Sequence, residues 1–476
     1  MTSAPRPPGV SDSTGPPPHS IAHSAKSHWL RNAGTYTANA DLAESVDCDL
    51  LVIGGGVAGL SSALHAAQAG IGKVLLIESE IIGFGATGRS AGWIIPQFGM
   101  DQLSIRAKYG RERSGEAISY ARAAVSYTEE LIDKFAIQSD YRRPGLMRTA
   151  FDDRWIDDLE ALHKAYVDMG FDDLAWLSAN ELQSEYNGND RFRSAIFDPN
   201  VGLLDPVKQV RGLKKAAEDS GVEIYENTPA LQIDRDQRGI RVYTPCGSIS
   251  PSRLVLATNA YTHQLQGSIG SQLRRVQSPV FARGAITEQI PNDLWRSLGW
   301  HRGNAIESCL DLFHYMAPTT DQRIQFYFIY YGGHPVMGEM EPAACHDGAV
   351  VSLRHLQCIF PQLKDIGLAH NWGGHMSGTR DLVPHLSCIG DDRVIYIGGC
   401  WGHGLALSHL HGKTVADLLR GVSSELTDCW FVNRRPAPWP PFPLDYIGKQ
   451  FAWNHMKRKV RRQIQNSIFT TEEPLR

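Results

Sequence analysis

Asp49-Leu50-Leu51-Val52-Ile53-Gly54-Gly55-Gly56-Val57-Ala58-Gly59-Leu60 is the stretch on which the reading of this chain turns. It reads as a short apolar strand, a glycine turn and the start of a helix that continues toward Gly70. Gly54, Gly56 and Gly59 fit G-x-G-x-x-G: one glycine for a tight turn, one for close approach of backbone to a pyrophosphate, one for helix–strand packing. The helix start at Val57 and Ala58 offers free N–H groups and a partial positive charge to phosphates. A second apolar run, Lys73-Val74-Leu75-Leu76-Ile77, ends in Glu78, 24 residues after Gly54. A dinucleotide fold places there the acid that accepts hydrogen bonds from the adenosine ribose. A glycine turn alone is a weak signal. Here the strand before it, the helix after it and the acid downstream agree.

The length of 476 residues suits two or three structural units. A hydrophobic content of 42% with 21% charged residues is that of a soluble globular protein with a sizeable core. The net charge of −4 gives no global reason to expect nucleic acid or an anionic membrane as partner. No apolar run approaches bilayer length, so no membrane span is expected. The eight cysteines form no C-x-x-C pair, which argues against a zinc site or a dithiol centre, and no metal is expected. Dispersed thiols point to a reducing, cytoplasmic setting.

Residues 1–26, with six prolines in the first twenty positions, read as a disordered leader without the apolar core of a secretory signal. The stretch Ile82-Gly83-Phe84-Gly85-Ala86-Thr87-Gly88-Arg89-Ser90-Ala91-Gly92-Trp93 is a loop of small residues. It lets backbone N–H groups approach a flat or anionic ligand, while Arg89 neutralises phosphate or fixes the loop. From 102 to about 200 the chain is helical and charged, with one inserted strand at Leu146-Met147-Arg148-Thr149-Ala150. Asp205 then reads as an N-cap, Pro206 as the first helical residue and Gly221 as the helix stop. Strands are expected at 222–225, 230–233, 239–243 and 253–257. Residues 270–365 are strand-like again, with 280–287 and the run Gln325-Phe326-Tyr327-Phe328-Ile329-Tyr330-Tyr331. Alternation would put Phe326, Phe328 and Tyr330 on one face and Tyr327, Ile329 and Tyr331 on the other. A strand at 393–397 leads into Gly398-Gly399-Cys400-Trp401-Gly402-His403-Gly404, which opens a second helix. A helix N-terminus aimed at a flavin would stabilise charge near N1 and O2 by roughly 0.3–2 kcal/mol.

On these motifs the chain resembles the D-amino-acid oxidase and glycine oxidase family of FAD enzymes, and within it γ-glutamylputrescine oxidoreductase-like amine oxidases. The resemblance spans about residues 27–450. It implies an α/β fold: a Rossmann-like, glutathione-reductase-type FAD domain (27–98, 200–265 and 366–425) interleaved with an antiparallel-sheet substrate domain (99–199 and 266–365), then a C-terminal extension (426–476). It also implies non-covalent FAD, held by Gly54, Gly56, Val57, Ala58, Gly59, Glu78 and Ser79 together with Gly85, Ala86, Thr87, Arg89, Ser90, Ala91 and Gly92. The backbone near Ala230 would meet the adenine, and Ala257, Thr258 and Asn259 would also contact the cofactor. Gly402, His403, Gly404 and Leu405 would face the flavin pyrimidine, with Trp372 and Asp381 nearby. Three departures from close relatives stand out: Trp401 where a serine is common, Ser90 where an asparagine is common, and no lysine between Lys215 and Lys364. Sarcosine-oxidase-like relatives use a roof-strand lysine to help oxygen react with reduced flavin. Here that strand offers Arg323 or Gln325.

The implied chemistry is oxidation of a C–N bond in a small amine or amino acid, with oxygen or another electron acceptor as partner. An aromatic cage suits an amine and lowers its pKa by desolvation. His314, Tyr315, Tyr327, Tyr330, His334, Trp372, His375 and Trp401 are candidates for it, and core packing is the competing role for each tyrosine. Trp401, His403, Tyr327 and Arg323 are the candidate catalytic residues, His403 being either structural or flavin-facing. Arg148, Arg283 and Arg323 are candidates to grip a carboxylate, against ordinary surface solvation. The same scaffold would also serve dehydrogenation or hydroxylation of a non-amine substrate. The basic cluster Lys457-Arg458-Lys459-Val460-Arg461-Arg462 would suit RNA or anionic lipid, but a solvated helix face is the simpler reading.

Overall fold

The computed structural model describes residues 27–99, 102–331 and 346–470. The leader expected at 1–26 and the candidate His334 lie outside these residues. Two large sheets organise the chain. The first runs His385–Ile389, Asp391–Gly398, Ser248–Leu256, Val46–Ile53, Val74–Ile77 and Glu223–Tyr225, with the last five strands parallel. Gln232–Arg235 and Ile240–Tyr243 add an antiparallel meander to Ser248–Leu256.

Strand alternation explains why Leu50-Leu51-Val52-Ile53 is apolar throughout. Leu50 and Val52 join a core with Leu60, Leu64, Val210, Leu213, Leu407 and Leu410, which come from three covering helices. Leu51 and Ile53 enter a second core with Ile233, Ile249, Leu265 and Tyr396 on the other face. Parallel strands buried on both faces require such continuous runs. The three helices are Val57–Gln68, Pro206–Asp219 and Gly404–Arg420. The second starts as its sequence indicates, with the Asp205 side chain accepting from Val207 N (2.9 Å) and Lys208 N (3.0 Å).

The second sheet gathers strands from separate parts of the chain, in the order Leu368–Thr379, Gln277–Thr287, Ile324–Phe328, His314–Pro318, Ala305–Ser308, Leu146–Ala150, Ser194–Asp198 and Ala175–Ser178. It is antiparallel except where Ala305–Ser308 lies parallel to Leu146–Ala150. Leu368–Thr379, grouped on sequence with the nucleotide-binding segments, instead pairs along its length with Gln277–Thr287. The aromatic run also ends early. Its strand stops at Phe328 and a 3-10 turn covers Ile329–Tyr331, so the expected alternation holds only through Phe328. The C-terminal helix Leu444–Ile464 packs Trp453, Val460 and Ile464 against the core of this second sheet.

Candidate functional site

The three glycines of the first turn do different work. A Cβ on Gly54 would meet Ala257 O at 2.7 Å, and one on Gly59 would meet Gly54 O at 1.8 Å, so backbone closes over both. At Gly56, Thr87 Oγ1 at 3.0 Å is the one neighbour within 4 Å among the described residues. The turn is therefore sealed where it packs and open where a phosphate would approach. Thr87 Oγ1 accepts from Val57 N at 3.2 Å, next to that opening. Gly55 N donates to Glu78 Oε2 at 2.6 Å, and Ser79 Oγ and Glu80 N donate to Glu78 Oε1 at 3.1 Å. Burial pushes the Glu78 pKa up against these bonds. Thr228 N bonds to Glu78 O at 2.8 Å, which brings the segment before Ala230 alongside; the strand there begins at Gln232.

The small-residue loop folds into a 3-10 turn, Thr87–Arg89, and is braced from several sides. Trp29 Nε1 donates to Ser90 O at 2.9 Å and Ser27 Oγ to Gly88 O. Gly92 has φ +69°, and a Cβ there would lie 2.2 Å from Leu204 O. Arg89 donates to Phe84 O (3.0 Å) and Gly373 O (2.9 Å) and stacks over the Phe84 ring, while Trp372 Nε1 donates to Arg89 O (3.0 Å). Of the two roles open to Arg89, these contacts match fixing the loop, here to the Leu368–Thr379 strand. Glu226, which sequence reasoning did not single out, anchors the same region. Its buried carboxylate accepts from Ile82 N (2.7 Å), Tyr36 OH (2.8 Å) and Lys214 Nζ (2.9 Å).

Three distant motifs meet at Ser377. Its N and Oγ donate to Asn259 Oδ1 at 3.1 and 2.5 Å, and its Oγ accepts from Gly399 N at 2.8 Å. Asn259 sits at φ +45°, a region this residue type tolerates. Trp401, at φ +54°, is pinned rather than free to swing. Its Nε1 donates to Thr379 O at 3.0 Å and its ring lies against Gly378. His403 Nδ1 donates to Gly99 O at 2.7 Å, which leaves Nε2 as the acceptor nitrogen. Burial lowers the His403 pKa to about 4, so the ring is neutral at pH 7. Burial also pushes the Cys400 thiol up to about 12. Gly404 and the buried Leu405 begin the helix. Asp381 is engaged elsewhere: both its oxygens accept from Arg434, which holds the carboxylate pKa down although burial opposes this.

Cross-strand partners share a face, and register therefore sorts the aromatic candidates. Tyr315 pairs with Tyr327 and Glu307, Glu307 with Arg148, and Ala317 with Gln325. On this same face the Leu368–Thr379 strand carries Trp372, Gly374, Met376 and Gly378, through its pairing with Gly284, Ala282, Val280 and Ser278. This face looks toward the loop and the second glycine turn. Gly374 lies under Arg89, Gly378 under Trp401, and Met376 Sδ is 2.9 Å from where a Gly402 Cβ would be. His314 and His375 point the other way. His314 stacks on Phe328 and Phe469 (centroids 4.0 and 4.4 Å), and His375 packs on Phe281 (4.8 Å). They are core residues, and Tyr330 lies beyond the strand end.

The candidate arginines fare differently from one another. Arg148 is ion-paired with the buried Glu307, and its charge contributes to the depressed pKa of His403. Arg323 donates to Asp321 (3.0 Å) and Thr287 O (2.9 Å). With Ala317 and Gln325 it lines a cavity of about 400 Å³ that includes Ala91 but no other residue of the expected cofactor set. Arg283 lies over the Phe281 ring, on the far face. Sequence reasoning missed Met376 and Glu307. Period-two spacing from Trp372 through Gly374 and Gly378 would have found the first, but Glu307 needed the register. Among the described residues, no cluster of His, Cys, Asp or Glu could hold a metal ion, and no helix is long and apolar enough to cross a membrane.

Sealed at Gly54 and Gly59, open at Gly56 and backed by Glu78, the turn fits a dinucleotide. The FAD dependent oxidoreductase (DAO) family model matches residues 49–418. The chain is 31% identical over 417 residues to gamma-glutamylputrescine oxidoreductase of Escherichia coli (strain K12), covering 88% of this chain and 93% of that protein. It is 25% identical to glycine oxidase of Bacillus licheniformis, over 82% of this chain and 98% of that one. Among solved structures, glycine oxidase from Geobacillus kaustophilus superposes with a TM-score of 0.67 at 20% identity, over 82% and 99% of the two chains.

Proposed function

The chain belongs to the DAO family of FAD-dependent oxidoreductases, and from that membership we propose that it oxidises a C–N bond of a small amine or amino acid. Gly56 and the start of the Val57–Gln68 helix would hold the pyrophosphate of a non-covalently bound FAD, and Glu78 its ribose. When bound it would supply the two-electron oxidation of the carbon beside nitrogen, giving an imine that water hydrolyses. The residues of this chain prepare the substrate. Trp372, Met376, Tyr315 and Tyr327 share the sheet face turned toward the second glycine turn, a setting of low polarity that favours the neutral amine. His403, neutral and fixed with its proton on Nδ1, offers Nε2 as an acceptor. Glu307, across the strand pair, neutralises Arg148 at the far end of this face. The seven cysteines among the described residues are all unbridged, in keeping with a cytoplasmic protein.

The observation that carries this reading is the closure of the second sheet over the second glycine turn and the small-residue loop, with Met376 against Gly402 and Trp372 bonded to Arg89. Its test is anaerobic bleaching of the flavin against a panel of amines, amino acids and alcohols. Amines or amino acids are expected to bleach it. Bleaching by alcohols alone would refute the reading, as would purification without flavin. Peroxide release in the same panel tells whether oxygen or another acceptor completes the cycle.

A further inference from the structure

We propose that the outward side of the C-terminal helix docks on an anionic lipid surface. Eight large hydrophobic residues are exposed among those described, and five of them, Phe442, Leu444, Tyr446, Ile447 and Phe451, fall within ten positions. Phe442 and Phe451 are 75% and 73% exposed. The helix Leu444–Ile464 turns Trp453, Val460 and Ile464 inward. At 100° per residue, Leu444, Ile447, Phe451, His455, Arg458 and Arg462 fall within an arc of roughly 80° on the opposite side. One line along the helix is thus apolar in its first half and cationic in its second. Arg458, Arg461 and Arg462 are exposed and make no ion pair among the described residues, while Lys459 pairs with Asp311 at 2.6 Å.

Each half alone would admit several partners, and the two together select one. Arginines by themselves suit any polyanion, but a polyanion has no use for a cluster of exposed phenylalanine, leucine and isoleucine. A second copy of the chain would cover the apolar half, yet parallel pairing of these helices brings arginine onto arginine and antiparallel pairing brings arginine onto Phe451. A bilayer answers both halves, with acyl chains taking Phe442, Leu444, Ile447 and Phe451 and headgroup phosphates taking the arginines about 10 Å further along. The attraction is local, since the chain as a whole carries −4.

The test is sedimentation of the full-length, flavin-loaded protein with phosphatidylcholine vesicles, with and without phosphatidylglycerol, at low and high salt. The protein is expected to sediment with the anionic vesicles at low salt and to be released by high salt. Phe442→Ser with Phe451→Ser should lower the partition at least about tenfold. Arg458→Gln, Arg461→Gln and Arg462→Gln together should lower it about a hundredfold, near fivefold per charge removed. Both variants should keep their flavin and their substrate reduction rate, which shows that they are folded. A wild-type protein that stays in the supernatant overturns the proposal. Binding that responds to the arginines but not to the phenylalanines means bare charge attraction and overturns it too. A dimer seen by light scattering that the Phe variant dissolves, with vesicle binding unchanged, assigns the face to a second copy instead.

Discussion

Adding one methyl group at Gly378 should unseat the Trp401 indole. A Cβ built there lies 2.3, 2.5 and 2.6 Å from Cε2, Cζ2 and Cδ2 of that ring. Carbon atoms rest at roughly 3.5–4.0 Å, so the indole must retreat by about 1 Å. Nothing at the far end of a flexible chain can absorb this, because the contact is with the rigid ring itself. The Nε1 bond to Thr379 O, now 3.0 Å, would stretch past useful length. Losing it costs about 0.5–1.5 kcal/mol. Overpacking adds about 1–3 kcal/mol. Trp401→Ser removes the obstacle and forfeits the burial of a half-buried ring, about 2 kcal/mol. In that background the Gly378 methyl finds room, so the two substitutions should couple by about 1–3 kcal/mol. The assay is thermal unfolding of the four proteins at one scan rate with FAD in excess. Gly378→Ala should melt below wild type, and the double variant no lower than Trp401→Ser alone. Equal decrements in both backgrounds, or an unchanged Gly378→Ala, would refute the packing argument. The Trp401 ring also lies over the sheet face that carries Trp372 and Met376. Anaerobic reduction rates of Trp401→Ser should therefore change relative to one another across the substrate panel while FAD is retained. Parallel rates would remove the indole from the pocket.

Gly56→Val should purify with at least about tenfold less FAD, because branched carbons would press on Thr87 Oγ1, 3.0 Å from the first added atom, and fill the opening above the turn; full occupancy would move the cofactor elsewhere. Acid precipitation should leave the yellow colour in the supernatant, since the Cys400 thiol, pushed up to about 12 by burial, is unionised at pH 7 and a poor nucleophile; colour in the pellet would point to a covalent flavin. Stability should fall as pH drops from about 6.5 toward 4. The buried His65, His409 and His411 titrate near 4, 4 and 3 when folded but near 6.5 when unfolded, so the unfolded chain takes up protons first. Their stabilisation is complete above 6.5 and is lost through that window. Unfolding midpoints across this range check it, and His411→Asn should flatten the slope by up to about 1.4 kcal/mol per pH unit; an unchanged slope would count against the ring being buried neutral.

Local rules made the dinucleotide half legible. The continuous apolar run at Leu50–Ile53, the glycine spacing, the Asp205 cap with Pro206 behind it and the acid at Glu78 are all short-range features, and each appears where its sequence puts it. The family likeness likewise rests on motifs that are contiguous in the chain. Tertiary structure alone decided which side chains meet. Strand register sends Tyr315 and Tyr327 to one face and His314 to the other, although all three lie in aromatic stretches of similar appearance. Pairing with Gln277–Thr287 carried Leu368–Thr379 into the second sheet. Arg434, 53 residues away, took the Asp381 carboxylate, and Glu307 took the Arg148 charge that the sequence leaves open to a ligand. A carboxylate shows in sequence only as a charge. Whether that charge is available to a ligand depends on which cation the fold brings within hydrogen-bonding reach, and that is settled by contacts between distant residues.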